Sequence, residues 1–206
     1  MITSYEEMTL GRYLDLLAVV KEEGLDELTR QVKTIAILSD RSEEDLLHIP
    51  IGEYTALSSK LGFLMDAPKE CPYVKDEYEV GGMVLVPVKD YRKLETGQYI
   101  DFKAYAPQVD EYFPQFLSVL LVPKGHRDNE GYDMDEVQKA VREMPLPDAL
   151  AVVSFFLLSW KGLTEDFLNY SEQAAKALPK EDRKKMKKAI AEIREDIRQS
   201  GDGLQV

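Results

Sequence analysis

The stretch Pro145–Trp160, PLPDALAVVSFFLLSW, decides how this chain is read. From Ala149 to Trp160 nearly every position is apolar. A helix built from it is greasy on all faces, the mark of a buried element that needs partners on several sides. Its 12 residues are too few to cross a bilayer. Pro145 and Pro147 fall just ahead of the helix or in its first turn, where prolines are tolerated, and Asp148 is placed to cap it. The rest of the chain is expected to gather around this helix.

Towards the N-terminus the pattern is helical. Thr9 can cap a helix from Leu10 to about Glu23, ended by Gly24, with Leu14, Leu17, Ala18 and Val20 on its apolar face. Asp26 can cap ELTRQVKTIAILS, where Leu28, Val32, Ile35, Ala36 and Leu38 keep close to helical spacing. Ser42 with Asp45 has the form of a capping box opening EEDLLHI, which Pro50 interrupts, and a fourth helix is expected over Gly52–Met65.

After the linker APKECP (67–72) the period changes. In YEVGGMVLVPV, Tyr78–Val88, two glycines separate two β-favouring runs, and a two-residue glycine turn supplies the positive φ angles of a primed hairpin turn. Pro87 assigns its strand to a sheet edge. A lone hairpin is marginal in water, so this one should lie on the helices or pair with another extended segment or another chain. Val80, Val84 and Val86 are its candidate contact residues.

Beyond the hairpin the sequence looks like a second copy. GRYLDL (11–16) parallels GQYIDF (97–102), QVKTIAIL (31–38) parallels QFLSVLLV (115–122), and the block from Ile49 parallels the block from Met144, with Pro50, Ala56 and Ser59 opposite Pro145, Ala151 and Ser154. The expected fold class is mainly α: a helical unit duplicated, with one β-hairpin between the copies. Residues 1–66 form the first repeat, 67–93 the linker and hairpin, 94–178 the second repeat, and 179–206 a C-terminal amphipathic helix and tail. In that last segment Met186, Ile190, Ile193 and Ile197 form a narrow coiled-coil-type seam, which serves either to dock the helix on its own chain or to engage another.

Composition limits the function. With 206 residues and 44% hydrophobic content, the chain can bury one good core or two small ones sharing an interface. A net charge of −12 argues against a general nucleic-acid binder, because phosphate neutralisation needs a basic face. The run RKKMKK (183–188) is followed by Glu192, Glu195 and Asp196 and reads as a solvated helix face. One cysteine, Cys71, and no basic-then-apolar leader point to a reducing, intracellular setting without membrane insertion.

Chemistry is thin. His48 and His126 lack ligand spacing to each other or to Cys71, so neither a zinc site nor a Cys–His nucleophile is indicated. DNEGYDMDE (128–136) has acidic residues but not the calcium-loop pattern, and Gly81-Gly82 is followed by no Lys-Ser/Thr of a phosphate loop. No catalytic residue, cofactor or metal is expected, and the chain reads as non-enzymatic.

The blocks MTLGRYLDL, TIAILSDRSEEDLLHIPIGEYTALSSKLGFL and YEVGGMVLVPVKDYRKLETGQYIDF resemble small acidic proteins encoded among the head and tail genes of tailed bacteriophages. LSDRSEEDLLHIPIGEYTAL in particular is similar to tail assembly chaperones, which commonly carry an ILTG-S-EEL-L stretch. Here Ser39-Asp40 stands where Thr-Gly is usual. The resemblance implies a protein of the host cytoplasm that binds a phage structural protein during virion assembly. The alternative it leaves is a neck or tail component retained in the particle as a ring of copies.

Overall fold

The computed structural model describes residues 1–90, 93–126, 131–176, 182 and 184–192. The protein is mainly helical with a small antiparallel sheet. Its first three helices begin where the capping chemistry places them. α1 (Leu10–Lys21) opens on Thr9, whose side chain accepts the Arg12 N–H, and α2 (Glu27–Ser39) on Asp26, which accepts from Thr29 N at 3.0 Å. α3 (Glu43–Leu47) has the full capping box of Ser42 and Asp45. α4 (Ile51–Ser58) follows Pro50 directly and tightens into a 3-10 helix over Ser59–Met65, where a single longer helix was expected.

β1 (Tyr78–Val80) and β2 (Met83–Pro87) form the expected hairpin, with Gly81 and Gly82 at φ 56° and 76°. A third strand, β3 (Leu121–Pro123), pairs with the other side of β2. The sheet order is therefore β1-β2-β3, and the extended partner that the hairpin needs comes from its own chain. Pro87 consequently lies in the central strand, a correction to its edge assignment. Backbone alternation explains why it is tolerated. Val88 N donates to Leu120 O on the β3 side at 2.9 Å, so the missing N–H of Pro87 faces the other side, where β1 has already ended.

α5 (Thr96–Tyr105), α6 (Phe113–Leu120), α7 (Met134–Val141) and α8 (Leu146–Ala175) complete the fold. The element enclosed most fully is α6. Phe116, Leu117, Ser118, Val119 and Leu120 have no exposed surface, between α5, α7, β3 and α8. The buried hydroxyl of Ser118 is satisfied by Gln115 O at 2.8 Å, and its carbonyl accepts the Tyr132 hydroxyl at 2.7 Å. The Pro145–Trp160 stretch is one wall of this core. Ala149, Val152, Val153 and Phe156 are buried, but Leu158 is 68% exposed, so the helix is not covered on every face. It runs on through Gly162 for 30 residues in all, and Asp148 sits in its first turn.

One main core joins α1, the sheet and α5–α8. A smaller cluster, Val32, Ile35 and Leu46, lies under α2, α3 and α4. The first helix is stitched to the second half by backbone: Leu10 N and Gly11 N donate to Met144 O and Arg142 O at 2.8 and 2.7 Å, and Leu146 N donates to Met8 O at 2.9 Å. Two of the orphan N–H groups of α1 are thus satisfied by the α7–α8 elbow.

The proposed halves agree in order and differ in detail. Gly11 and Gly97 each take the second position of a helix, and Pro50 and Pro145 each immediately precede one. QVKTIAIL is helical throughout, whereas QFLSVLLV leaves the helix after Leu120 and becomes β3. Thr9 is a cap, but Thr96 is already helical, and Gln98 Oε1 accepts from Glu95 N instead. The helix order alone does not establish a duplication.

Candidate interaction surfaces

The sheet has one inward and one outward face. Tyr78, Val80, Leu85 and Pro87 are buried, while Val84 and Val86 alternate to the other side and are half-buried. Val84 stands opposite Glu79 on β1, and Val86 opposite Val122 on β3. The structure therefore separates the three hairpin valines: Val80 is core, and Val84 and Val86 belong to the face and ladder shared with β3. What remains of a free edge is β1. Val80 and Met83 pair across the turn, so Glu79 is the residue whose N–H and C=O point outward, and Asp76, Glu77 and Glu79 put charge along that edge. Asp76 and Glu77 also bind Lys89 and Lys124 at 2.6 and 2.8 Å.

Residues 51–65 form the second surface. Not one residue of α4 or the following 3-10 helix is buried. Tyr54, Leu57 and Leu61 lean on the small cluster, Phe63 and Leu64 on the main core, and Phe63 meets the Tyr5 ring edge-on at 5.2 Å. Those contacts hold one side. The other leaves Ile51 and Met65 78% and 90% exposed, with Leu47 71% exposed beside them at the end of α3. These exposed apolar residues make the arm a candidate binding surface.

The linker is fastened to α8, which no local pattern announces. Cys71 N donates to Pro147 O at 2.9 Å, and Lys75 Nζ donates to the buried Asp148 carboxylate at 2.6 Å. The Lys75 N–H donates to the Tyr78 hydroxyl at 3.0 Å, and its ammonium lies 5.8 Å from that ring. Burial pushes the Tyr78 phenol up to about 12, with the Asp148 charge adding to the rise and the hydrogen bond from Lys75 opposing it. The bond to Asp148 raises the Lys75 pKa against the effect of burial. Every group in this cluster has a structural partner, so it serves as a clamp.

Of the C-terminal seam, Met186 and Ile190 are described and Ile193 and Ile197 lie outside the described residues. Residues 184–192 are helical, with Ile190 only 4% exposed and Met186 38% exposed one turn earlier. His48 Nδ1 is 2.7 Å from Glu44 O within its own helix, and His126 packs edge-on against Tyr132 at 4.9 Å. Among the described residues no three His, Cys, Asp or Glu side chains form a metal-binding group, and no helix is long and apolar enough to cross a membrane. No family model, curated protein or solved structure matches the chain.

Proposed function

We propose that this chain is a non-enzymatic assembly protein of a tailed bacteriophage, a tail assembly chaperone that shields an apolar surface of a structural protein until that protein is built into the particle. The observation that carries the reading is the arm at 51–65, which holds Ile51, Leu57, Leu61, Phe63, Leu64 and Met65 and has no buried residue. A free protein that keeps Ile51 and Met65 in water retains a cost that partner binding removes. The arm also belongs to the stretch that resembles the chaperones. Asp40, which stands where their pattern has glycine, adopts the left-handed φ of 55° that glycine favours at a helix C-cap. The departure is thus compatible with the left-handed backbone that glycine favours at that position.

Mass spectrometry of purified virions tests the reading. A chaperone is absent from finished particles, whereas detection in stoichiometric copies would replace this proposal with that of a neck or tail component. In the host lysate the protein should co-purify with a phage structural protein, and Met65→Asp should weaken that association without altering the thermal melt.

A further inference from the structure

Two surfaces of this molecule complement each other and are both free in a single chain. The first is the elbow between α3 and α4. Leu47 and Ile51 project from it, 71% and 78% exposed, with Glu43 and Glu44 flanking them on exposed positions and Glu53 held by Arg41 at 2.7 Å. The second surface is the helix at 184–192. Lys185 and Lys187 flank Met186, Lys184 and Lys188 lie nearer the opposite side of the helix, and every residue from 184 to 189 is exposed. Ile190 is buried, so the helix is anchored there, and Met186, one turn earlier on the same face, is 38% exposed with a lysine on either side. Lys188 reaches Glu192 only at 3.6 Å, with both side chains well exposed.

We infer that the α3–α4 elbow of one molecule receives the Lys184–Lys188 turn of a second copy, Met186 packing against Leu47 and Ile51 and Lys185 and Lys187 facing Glu43 and Glu44. Charge complementarity selects this occupant. In a protein of net charge −12 most surfaces repel a second copy, and this basic turn is a local exception that the acidic elbow attracts. The same chain leaves both surfaces exposed, so they are not satisfied within one molecule. Because the two patches differ, the contact either closes reciprocally in a two-fold dimer or runs head-to-tail into a ring or a filament. The inference stands independently of the phage reading.

Sedimentation of the full-length protein over a range of concentrations and salt tests it. Concentration-dependent association that weakens as salt rises is expected, since the flanking pairs are solvent-exposed. A variant with Glu43→Lys and Glu44→Lys, and another with Lys184→Glu, Lys185→Glu, Lys187→Glu and Lys188→Glu, should each raise the dissociation constant about tenfold or more. Mixed together they should associate again, because each reversed patch now meets its complement in the other variant. Leu47→Ser with Ile51→Ser should weaken association without any change of charge. Circular dichroism melts of each variant should overlay the parent, as the altered residues are exposed. A protein that stays monomeric at every concentration in low salt overturns the inference. So does association that survives either charge reversal, or a mixture that fails to recover although both variants are folded.

Discussion

Helices α4 and α8 stand at the same place in the two halves of the chain, each directly after a proline, and their surroundings are opposite. α8 buries Ala149, Val152, Val153 and Phe156 against α6, whereas α4 buries nothing. Their sequences explain the divergence. IGEYTALS offers two large aliphatic residues, of which Ile51 is exposed and Leu57 half-buried, and a tyrosine whose hydroxyl is held by Gln31 at 2.7 Å, while LAVVSFFLLSW packs large apolar groups on every turn. Two helices that each follow a proline thus pack oppositely: α8 builds the core and α4 stays at the surface. Phe156→Ala should accordingly cost about 3–5 kcal/mol, a large part of a typical domain's stability, through the cavity it leaves beside α6. Leu57→Ala should cost about 1 kcal/mol and Ile51→Ala less than about 0.5 kcal/mol, as surface positions do. Urea unfolding of the three variants measures the difference, and equal losses would show that the arm is as much part of the core as α8.

The hairpin between the halves is bound to the second of them at a point the sequence only half discloses. Gly81 has a left-handed φ, which the Gly-Gly pair predicts, but a Cβ there would also lie 2.6 Å from both Cα and Cβ of Ala140 on α7. Gly82 has the same sign of φ and open space. Gly81→Ala should therefore destabilise by about 2–4 kcal/mol, combining backbone strain with overpacking, against about 1 kcal/mol for Gly82→Ala. Thermal melts would show this, and equal effects would mean that the hairpin is free to move off α7.

Local chemistry was legible and long-range pairing was not. Thr9, Asp26 and the Ser42–Asp45 box announce their helices because a cap is completed within three residues. The glycine pair announces the hairpin for the same reason. β3 escaped because Leu121–Pro123 extends an apolar helical run with no turn residue before it, and periodicity cannot locate a change of conformation inside a uniformly apolar stretch. The Lys75–Asp148 clamp joins groups 73 residues apart and has no signature along the chain. Exposure of the 51–65 arm was hidden too, since its apolar content reads as an ordinary fourth helix.

That clamp gives α8 a tether for which α4 has no equivalent, and high pH should release it. Both Tyr78 and Lys75 have pKa values raised by folding. The folded state therefore favours their protonated forms. Their contribution is complete below the unfolded values of 10.0 and 10.5 and is lost as pH rises through the folded ones. For Tyr78 the window runs from pH 10 to about 12 and is worth about 2–3 kcal/mol. Tyr78→Phe should lose about 1 kcal/mol near neutrality, with the hydroxyl that accepts the Lys75 N–H, and should flatten the alkaline fall. Denaturant titrations across that range test it, and a fall of unchanged steepness would assign the alkaline loss to Tyr5, Tyr13 and Tyr132, whose phenols burial also raises.

The smallest expected effect bears most directly on whether the two halves are equivalent. Gly11 and Gly97 hold matching places in GRYLDL and GQYIDF, both in the first turn of a helix. At Gly11 a Cβ would sit 3.0 Å from the Arg142 carbonyl oxygen, which already accepts the Gly11 N–H at 2.7 Å. The glycine there lets α1 approach the α7–α8 elbow. At Gly97 no atom lies within 4 Å of that point, so nothing in the packing requires glycine. Gly11→Ala should cost about 1–2 kcal/mol, because a backbone carbonyl has to move and the hydrogen bond lengthens. Gly97→Ala should instead stabilise by up to about 1 kcal/mol, since alanine is the better helix former and restricts the unfolded chain. Opposite signs in the two melting temperatures would show that the shared glycine serves a packing need in one half alone. Matching losses would mean that α5 also makes a close backbone approach, as a symmetric pair of repeats requires.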